Sequence, residues 1–584
     1  MKKKAMPMVF AIAVIAIAIV VLLVNNSIGN KAPSKKHISK ENLYKMFRLY
    51  DGYTMNGDEI DFSGATMADE KQIAVVLQGN LVNDRGILED GHIYVDYQLV
   101  KRELNKRFYW DNNENILIYT TPKDVIRADV GSAEYYETKV KKAFDHTIVK
   151  ANGSYVYVSL DFVKQFSNLE YSVYENQNRL CITNSFGVDV KVANTKKDAV
   201  IRSSNSIHSD VVKLPKAGEE VIVLEEGKKW YKVCAKDGYF GYIEKSNLKK
   251  IKTKKYQSDF VEPEYTNISK EGTVSLGWHM VTTKASNNQL VDLVTSAKGL
   301  DVVAPTWFRL SDNEGNMTSY AESNYVEKAH LVGLEVWAVV DDQSADSDNR
   351  QIFTYTSKRE KIINQLIATA IEYNIDGINV DFEYIAPEIA DDYIQFIREL
   401  SVKCRINGIV LSVDNKVPEV SNFYYNIQEQ GEIVDYVIMM GYDEHWGVDS
   451  GAGSTASLPW VTEGIENMVS RVPAEKVICG IPFYTRIWEE DKDGNVVGCT
   501  SVSMDTAIKN LQSHGVEPTW VDNQGQYYGE YTEGDKTIRI WIENEKSLEE
   551  KLKLIGTHKL AGVAAWRLGL ESDSTWNTII KYTH

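Results

Sequence analysis

The segment DGINVDFEYI, residues 376–385, carries polar side chains at every second position of an otherwise apolar run. Residues two apart on a strand point to the same face, so Asn379, Asp381 and Glu383 share one side of it. A buried strand of an α/β protein is normally apolar throughout. Carboxylates clustered on such a strand therefore indicate chemistry, and proton transfer is the chemistry to which carboxyl groups are suited.

The elements that must position this segment follow an alternating pattern of strands and helices from residue 270 onward. Helical segments such as SKREKIINQLIATAIEY separate short runs rich in β-branched residues. The eight runs cover 272–278, 300–308, 334–340, 376–385, 408–415, 434–443, 476–484 and 560–569. This repetition predicts an α/β fold, a (β/α)8 TIM barrel, whose active site lies at the carboxyl ends of the strands.

The seventh and eighth runs are unusually far apart along the chain. Residues 488–558 between them contain the strand-like segment YYGEYTEGDKTIRIWIE and the helical segment SVSMDTAIKNLQSHG. The sequence therefore predicts a small α+β subdomain inserted into a barrel that covers residues 269–584.

The segment DGINVDFE resembles the D-G-x-D-x-D-x-E signature of glycoside hydrolase family 18 at every defined position but one. MGYD, residues 440–443 at the end of the sixth run, resembles the M-x-Y-D motif of the same family. The resemblance covers about residues 255–584. It implies a retaining hydrolase of β-1,4-linked polymers, in which the acetamido group of the substrate acts as the nucleophile.

The resemblance also implies a role for each motif residue. Glu383 would be the general acid that protonates the glycosidic oxygen and later activates water. Asp381 would orient the acetamido nitrogen and stabilise the oxazolinium intermediate, and Tyr442 would hydrogen-bond the acetamido oxygen. Asp376 begins the strand with the other parity, so we expect it to orient the backbone. The supporting residues are Asn379, Asp376, Asp443 and Met440.

Asn379 stands where the family pattern usually has Asp. An Asp at this position could share a proton with Asp381, whereas an amide can only donate a hydrogen bond to Asp381. We therefore expect Asp381 to stay ionised more firmly and the pH optimum to change. Binding-only members usually lack the catalytic Glu, and Glu383 is present, which favours activity.

Aromatic residues at the strand ends are candidates for sugar binding, because the C–H faces of sugars pack on a π face. The family places a tryptophan under the sugar at the cleavage point, and Trp566 on the eighth run has that position. Packing in the core is the alternative for each tryptophan. The candidate substrate-binding residues are Trp566, Trp278, Trp307, Asp414, Asn415, Trp446, Tyr484 and Arg486.

The chain begins with an apolar run that is long enough to cross a membrane. Residues 5–24 are uncharged, and a helix of this length spans the ~30 Å of a bilayer core. Lys2, Lys3 and Lys4 precede the run and favour a cytoplasmic N-terminus, residues 1–4. We therefore expect a single-pass anchor, a spacer over residues 25–50 and extracytoplasmic domains at a bacterial cell surface. A cleaved signal peptide is the alternative.

Two modules are expected between the spacer and the barrel. Residues 93–120 and 156–183 repeat one plan and resemble the N-terminal module of copper amine oxidases, which predicts a two-lobed α+β module over 51–190. Residues 196–250 resemble a bacterial SH3-like β-barrel, with a hairpin signal at Lys236-Asp237-Gly238. The SH3 resemblance implies cell-wall binding, and a spacer barrel is the alternative. Residues 251–268 are predicted to be a linker.

Charge and ligand spacing argue against other classes of function. The net charge of −17 makes nucleic acid an unfavourable partner. Five scattered cysteines form no CxxC motif, and ten histidines show no metal-ligand spacing. We therefore expect no metal and no other cofactor, including in the repeat module. An exported chain without a disulfide framework is typical of bacteria.

Together these features favour a membrane-tethered peptidoglycan N-acetylglucosaminidase. Asn379, APTWF, LSVDNKVP and GYDEHW make the barrel resemble the family branch of bacterial spore-cortex-lytic N-acetylglucosaminidases. The expected partners are a glycan polymer, the cell wall through the SH3-like domain and the membrane through the N-terminal helix. A chitinase or endo-β-N-acetylglucosaminidase and a catalytically silent glycan-binding scaffold are the alternatives.

Overall fold

The structure is a computed structural model that describes residues 32–56, 59–153 and 155–584. The chain divides into two compact units, one of residues 1–106 and 146–262 and the other of residues 107–145 and 263–584. The predicted membrane anchor, residues 5–24, lies outside the described residues. Within the described ranges, every helix is too short or too polar to cross a membrane.

Eight parallel strands of the second unit close into a barrel, which confirms the predicted (β/α)8 architecture. The first strand pairs with both the second and the eighth, and this pairing closes the sheet. Helices cover the strands from outside, so most residues of the strands are apolar, and Val is frequent among them. We number the barrel strands β1 Val274–His279, β2 Val302–Leu310, β3 Glu335–Asp341, β4 Gly377–Asp381, β5 Val410–Lys416, β6 Tyr436–Met440, β7 Val477–Pro482 and β8 Gly562–Trp566.

The two longest helices flank β4 and fix its position. Thr356–Tyr373 precedes β4 and ends at Asn374, and Ala390–Asn407 follows β4 and ends at Gly408. Both capping residues have positive φ, 57° and 67°, a conformation that glycine and asparagine adopt most easily at helix ends. The other helices of the barrel are Leu290–Val294, Ser323–Leu331, Asn349–Phe353, Ile427–Ile433, Leu458–Val469, Glu545–His558 and Thr575–Thr583.

A five-stranded antiparallel sheet is inserted between β7 and β8, as the sequence predicts. The helix Glu545–His558 lies within the predicted insertion but packs against the barrel helices Leu458–Val469 and Thr575–Thr583. The inserted subdomain consists of strands Tyr484–Glu490, Val496–Ser503, Thr519–Val521, Gln526–Glu533 and Lys536–Ile542 with the helix Met504–Ser513.

A second five-stranded antiparallel sheet of this unit comes from residues far upstream of the barrel. It packs on the barrel helices: Asp111 accepts hydrogen bonds from the backbone and hydroxyl of Thr356, and Val402 packs with Tyr109 and Ile118. The strands are Phe108–Asp111, Ile116–Thr120, Val125–Asp129, Glu134–Glu137 and Val140–Ala143. The hairpin of the first sequence repeat therefore belongs to the same unit as the barrel.

The first unit contains a seven-stranded sheet that combines parts of both sequence repeats. The predicted plan of strand, short helix and hairpin is present in each repeat. The expectation of two similar lobes is wrong, because the hairpin of the first repeat buries its apolar face on the barrel helices instead. The sheet order is Val149–Asn152, Tyr155–Ser159, His92–Asp96, Asn80–Glu89, Gln72–Leu77, Arg179–Thr183 and Glu170–Tyr174.

The other large sheet of the first unit is antiparallel and contains the predicted hairpin. Trp230–Ala235 pairs with Phe240–Glu244 around Gly238, whose φ is 79°. Lys252–Lys255 is an edge strand of this sheet, at the start of the segment that the sequence assigns to a linker. The SH3-like resemblance stays a prediction. The sheet order is Val211–Lys213, Ile201–Arg202, Phe240–Glu244, Trp230–Ala235, Glu220–Glu226, Asp189–Asn194 and Lys252–Lys255.

Candidate active site

The polar residues of β4 lie where the strand enters the carboxyl end of the barrel. Asp381 and Glu383 line a cavity of about 690 Å³, and Asn379 is buried below them in the barrel interior. The alternate residues pack in the layer between strands and helices, as the period of two predicts. These buried residues are Ile378, Val380 and Phe382.

Glu383 is oriented into the cavity through both its side chain and its backbone. Gln343 Nε2 donates to Glu383 Oε1 at 3.1 Å, and Lys416 Nζ lies 3.4 Å from Glu383 Oε2. The backbone N–H groups of Glu383 and Tyr384 donate to the two oxygens of Asp342 at 2.9 and 3.0 Å. These two hydrogen bonds therefore hold the carboxyl end of β4 against the carboxyl end of β3.

Asp342 is a site residue that sequence reasoning missed. It is 4% exposed, also accepts a hydrogen bond from Asn349 Nδ2 at 2.6 Å, and burial raises the pKa of its carboxyl. A signal existed in the sequence: the acidic pair Asp341-Asp342 follows an apolar run at the carboxyl end of a barrel strand, where active sites lie.

Asp381 is half-buried between the cavity and the barrel interior. Its Oδ1 is buried without a hydrogen-bond partner among the described residues. Burial raises the pKa of Asp381 well above its ordinary value, and the negative charge of neighbouring Asp414 raises it further. Burial and Asp414 thus oppose the ionisation of Asp381, and the expectation that Asn379 keeps Asp381 ionised more firmly than an Asp would stays a prediction.

The Asn379 amide is buried and hydrogen-bonded at both ends. Its Oδ1 accepts from Trp278 Nε1 at 3.0 Å, and its Nδ2 donates to Ser412 Oγ at 3.0 Å and to Asp414 Oδ1 at 2.8 Å. These partners fix which end of the amide is the donor. The hydrogen bond that the sequence assigns to Asp381 goes to Asp414 instead.

Three aromatic rings meet beside the carboxylates. Tyr442 and Trp566 line the cavity together with Asp381 and Glu383. Trp278 packs edge-on against both rings, with centroid distances of 6.4 Å to Tyr442 and 6.0 Å to Trp566. Because Trp278 is 1% exposed, it supports the two rings from the barrel interior and does not line the cavity itself.

Several other predicted residues also line this cavity. Met440 and Trp446 are in its wall, and Trp446 is 66% exposed. Asp443 lines it too and accepts hydrogen bonds from Tyr484 Oη and from Arg486 Nη2, the latter at 2.6 Å. Tyr484 and Arg486 therefore hold Asp443 in place.

The remaining predicted residues lie outside this cavity, and of these Trp307 lines a smaller cavity next to it. Trp307 is buried and donates to Asn287, and Asn415 donates to Gln430 at 2.7 Å. Asp376 accepts the backbone N–H of Val336 at 2.8 Å and contacts His330 at the same distance. The position of Asp376 matches its expected role in orienting the backbone.

Sequence reasoning also missed most of the other residues of the cavity. They lie at or beyond the carboxyl ends of β3, β4, β5 and β6, with Lys416 the last residue of β5 and Trp460 in the helix Leu458–Val469, and this position is the one signal that marks them. These residues are Gln343, Tyr384, Lys416, Val417, Glu419, Ser421, Asn422, Tyr424 and Trp460.

A smaller cavity of about 170 Å³ extends the cleft in a second direction. Gln343, Asp381 and Trp566 line both cavities, so they mark the point at which the two meet. The smaller cavity is also lined by Arg309, which donates to both oxygens of Asp341 at 2.6 and 3.0 Å. A polymer could therefore occupy space on both sides of Asp381.

The comparison with protein families decides the assignment. Residues 238–571, more than half of the chain, match the family described as glycosyl hydrolases family 18. The chain belongs to glycoside hydrolase family 18. Residues 76–183 match the copper amine oxidase N-terminal domain. The protein is therefore a glycosidase, and the two carboxylates at the end of β4 lie within the residues that match the family.

Relatives of this family 18 chain include bacterial glycosylases. YvbX of Bacillus subtilis, described as an uncharacterized glycosylase, is 30% identical over 300 residues, which cover 49% of this chain and 85% of YvbX. The cortical fragment-lytic enzyme of Bacillus subtilis is 25% identical over 40% of this chain and 55% of that enzyme, so the match spans about half of its length. The crystal structure of the Bacillus megaterium spore cortex-lytic enzyme SleL has a TM-score of 0.48 and 20% identity, over 56% of this chain and 76% of that one.

Proposed function

We propose that this family 18 glycosidase is a membrane-anchored peptidoglycan N-acetylglucosaminidase. The observation that carries the proposal is the convergence of Glu383, Asp381, Tyr442 and Trp566 on one cavity at the carboxyl end of the barrel. The apolar run at residues 5–24, which lies outside the described residues, is the support for membrane anchoring.

The proposed mechanism is substrate-assisted and retains the configuration of the cleaved sugar. Glu383 gives its proton to the glycosidic oxygen while the acetamido oxygen of the substrate attacks the anomeric carbon, and the bond to the leaving sugar breaks. Asp381 accepts the acetamido N–H and stabilises the positive oxazolinium ring. Tyr442 donates to the acetamido oxygen, and burial raises the pKa of Tyr442, so its hydroxyl keeps that proton.

The second half of the reaction returns the enzyme to its starting state. The Glu383 carboxylate takes a proton from water, and the oxygen of that water attacks the anomeric carbon of the oxazolinium ring. The bond between the anomeric carbon and the acetamido oxygen breaks, which restores the acetamido group of the sugar. Attack comes from the face opposite the acetamido oxygen, so two inversions give net retention. The hydrogen bond from Gln343 and the backbone bonds to Asp342 keep Glu383 in position for both steps.

One charge in the cleft supports a wall polymer as the substrate. Among the described residues that line the larger cavity, Lys416 is the one cation. Peptidoglycan carries a carboxylate on the peptide stem of alternate sugars, whereas chitin is neutral. If Lys416 releases Glu383 and binds this carboxylate, the cavity should bind peptidoglycan in preference to chitin. The name of the cortical fragment-lytic relative agrees with a wall substrate.

A chitinase or endo-β-N-acetylglucosaminidase is the second candidate. Four carboxylates line the same cavity as Lys416, and this excess of negative charge favours a neutral chain. They are Asp381, Glu383, Glu419 and Asp443.

The experiment digests purified peptidoglycan with the full-length chain, labels new reducing ends with borohydride and identifies them by mass spectrometry. The full-length chain is used because residues 107–145 pack on the barrel helices. Labelled N-acetylglucosamine is the expected result, and labelled N-acetylmuramic acid would make the protein a muramidase. Cleavage of chitin oligosaccharides alone would select the second candidate. The Glu383→Gln variant is the control, and equal product with both chains would point to a glycan-binding scaffold.

A further inference from the structure

The carboxylate that the family pattern expects at position 379 has a counterpart on the neighbouring strand. In the parallel pairing of β4 and β5, Asn379 lies opposite Ser412 and Val380 lies opposite Val413. The next residues in this register are Asp381 and Asp414. Side chains at alternate positions share a face, so both carboxylates point, like Asn379, towards the barrel interior.

Asp414 is held in place by the amide that stands at the family's Asp position. Asn379 Nδ2 donates to Asp414 Oδ1 at 2.8 Å, and Asp414 is 3% exposed. Asp381 Oδ1 is buried and has no hydrogen-bond partner within the described part of the chain. Two buried neighbouring carboxylates strongly disfavour double ionisation, and a proton between them would supply the missing hydrogen bond.

We propose that Asp414 is a positioning residue that shares one proton with Asp381, in place of a second carboxylate on strand β4. The catalytic consequence rests on the proposed function, whereas the shared proton itself does not. The pair carries one negative charge, which is enough to stabilise the oxazolinium ring, and the shared proton holds the Asp381 carboxylate in a fixed orientation.

The surroundings of the pair favour this single charge. Burial raises the pKa of Asp414 to about 8, and the pKa of Asp381 is also raised well above its ordinary value. Arg309 is the nearby cation, but it is paired with Asp341. The other titratable groups that face the pair are Asp341, Asp342, Glu383, Tyr393 and Tyr442.

A raised carboxyl pKa gives a defined pH dependence of stability. In the unfolded chain an Asp ionises at about pH 3.9, and in the folded chain Asp414 ionises at about 8. The folded state therefore holds more protons between these two values. The free energy of unfolding therefore decreases as the pH rises through this window, because the folded Asp381–Asp414 pair still holds a proton that the unfolded chain has released.

The test compares the full-length chain with Asp414→Asn, Asn379→Asp and the exchanged variant Asn379→Asp/Asp414→Asn. An asparagine at 414 can still accept the hydrogen bond from Asn379, so this change removes the charge and keeps the contact. Melting temperatures are measured from about pH 4 to about pH 9. We expect Asp414→Asn to lose less stability across this range than the wild type, and the exchanged variant to regain the wild-type slope.

A second readout is the pH profile of kcat/KM on an N-acetylchitooligosaccharide. Without the charge of Asp414 the pKa of Asp381 falls, so we expect the limb of the pH profile that reflects ionisation of Asp381 to move to lower pH. The exchanged variant should return towards the wild-type profile and be about tenfold or more faster than Asp414→Asn. A role of Asp414 in packing alone would lower the rate without moving the profile.

Two results would overturn the shared proton: an unchanged pH slope of stability in Asp414→Asn, or an exchanged variant with the same slope as Asp414→Asn. The exchanged variant keeps the test decisive if Asp414→Asn alone does not fold. The melting experiment needs no substrate. If the wild-type chain cleaves no glycan, the proposed function fails, and melting still decides the question of the shared proton.

A second inference concerns the first unit and is independent of the glycosidase site. His92 begins the strand His92–Asp96, and His146 precedes the strand Val149–Asn152. Asp161 lies in the first turn of the helix Leu160–Gln165, which follows the strand Tyr155–Ser159 between these two in the sheet. The ligand atoms of His92, His146 and Asp161 all lie within 4.8 Å of one another. The repeat module therefore brings together three potential metal ligands that the sequence spacing does not reveal.

Two further hydrogen bonds orient these side chains. The Tyr171 hydroxyl donates to Asp161 Oδ1 at 2.5 Å, and Ser159 Oγ lies 2.7 Å from His146 Nε2. Such partners fix ligand orientation in metal sites. The rings of His92 and His146 stack with centroids 3.7 Å apart. A metal lies in the plane of an imidazole that binds it, so metal binding would turn one ring out of the stack.

We infer that His92, His146 and Asp161 bind a divalent transition-metal cation, with water completing the coordination. Imidazole nitrogens and a carboxylate oxygen are ligands that Zn²⁺ accepts in proteins. The three ligands are 15 or more residues apart along the chain. Sequence motifs detect ligands at short spacing and therefore miss this cluster.

The test is equilibrium dialysis of the full-length chain against Zn²⁺, with bound metal counted by mass spectrometry. We expect one ion per chain, lost in His92→Ala and weakened about tenfold or more in Asp161→Asn. His514→Gln is the matched control, because His514 also stacks on an aromatic ring, that of Tyr531, and lies outside the cluster. Absence of saturable binding, or equal binding by wild type and His92→Ala, would overturn the site.

Discussion

Carboxylates are buried in two different ways in the unit that contains the barrel. On the helices outside the barrel, Glu399 lies 3.2 Å from Arg359, and both side chains are almost fully buried. At the carboxyl ends of β4 and β5, the buried Asp414 lies beside the half-buried Asp381, and neither has an ion pair within the described residues. The same unit therefore neutralises one set of buried charges and leaves the other set in mutual repulsion.

The difference separates stability from chemistry. A buried carboxylate beside a cation stays ionised, and its charge is compensated where it stands. A buried carboxylate beside another carboxylate resists ionisation and holds a proton near neutral pH, which is the property that acid–base sites require. The other paired glutamates are Glu429, bound by Arg107 and Arg398, and Glu543, bound by Lys551.

The largest expected effect comes from the carboxylate that the site uses directly. Glu383→Gln cannot donate the proton to the leaving oxygen, so we expect the rate of reducing-end release to decrease by about 10³-fold or more. Glu388→Gln is the matched control: Glu388 is exposed, pairs with Arg350 and lies outside the cavity. A Glu383→Gln rate within about tenfold of the wild type would remove Glu383 from the proposed mechanism.

The next prediction concerns the free energy of unfolding and the carboxylates that pair with cations outside the barrel. Arg359→Met leaves Glu399 buried without its cation, so we expect unfolding in urea to show a loss of about 3–5 kcal/mol. Arg359→Met/Glu399→Leu removes both charges and should lose less than the single variant. Equal losses in the two variants would show that packing, rather than charge pairing, governs this region.

A smaller loss of activity without loss of stability is expected at the cavity wall. Tyr442→Phe removes the donor to the acetamido oxygen, so kcat should decrease by about 10²-fold, as for the loss of one oxyanion donor. The melting temperature should stay close to that of the wild type, since the ring and its packing on Trp278 remain. A decrease in kcat below about tenfold would argue against the assigned role of Tyr442.

The sequence predicts the parts of this site that depend on local pattern. The period of two placed Asn379, Asp381 and Glu383 on one face, and apolar runs located all eight barrel strands close to their observed bounds. Both signals are local because side-chain alternation and burial are properties of a single strand.

The parts that the sequence does not predict depend on which elements become neighbours. Asp414 lies beside Asp381 through strand register, and Asp111 reaches Thr356 through the packing of an upstream sheet on the barrel helices. Nothing within either segment specifies these contacts, since register and packing are set by the whole fold. The hydrogen bond of the Asn379 amide was assigned to Asp381 and not to Asp414 for this reason, because the prediction considered one strand without its neighbour.

The smallest expected effect concerns the cation at the edge of the site. Lys416 is about half exposed and lies 3.4 Å from Glu383 Oε2, so it combines a charge pair with access to substrate. If it binds a carboxylate of the peptide stem, Lys416→Met should slow peptidoglycan hydrolysis by about three- to tenfold, and high salt should reduce the difference. Hydrolysis of neutral chitin oligosaccharides should change less, which separates substrate recognition from an effect on Glu383. Equal changes for both polymers would mean that Lys416 acts on Glu383 and not on the substrate. Lys416 would then resemble the cations that pair with buried glutamates outside the barrel.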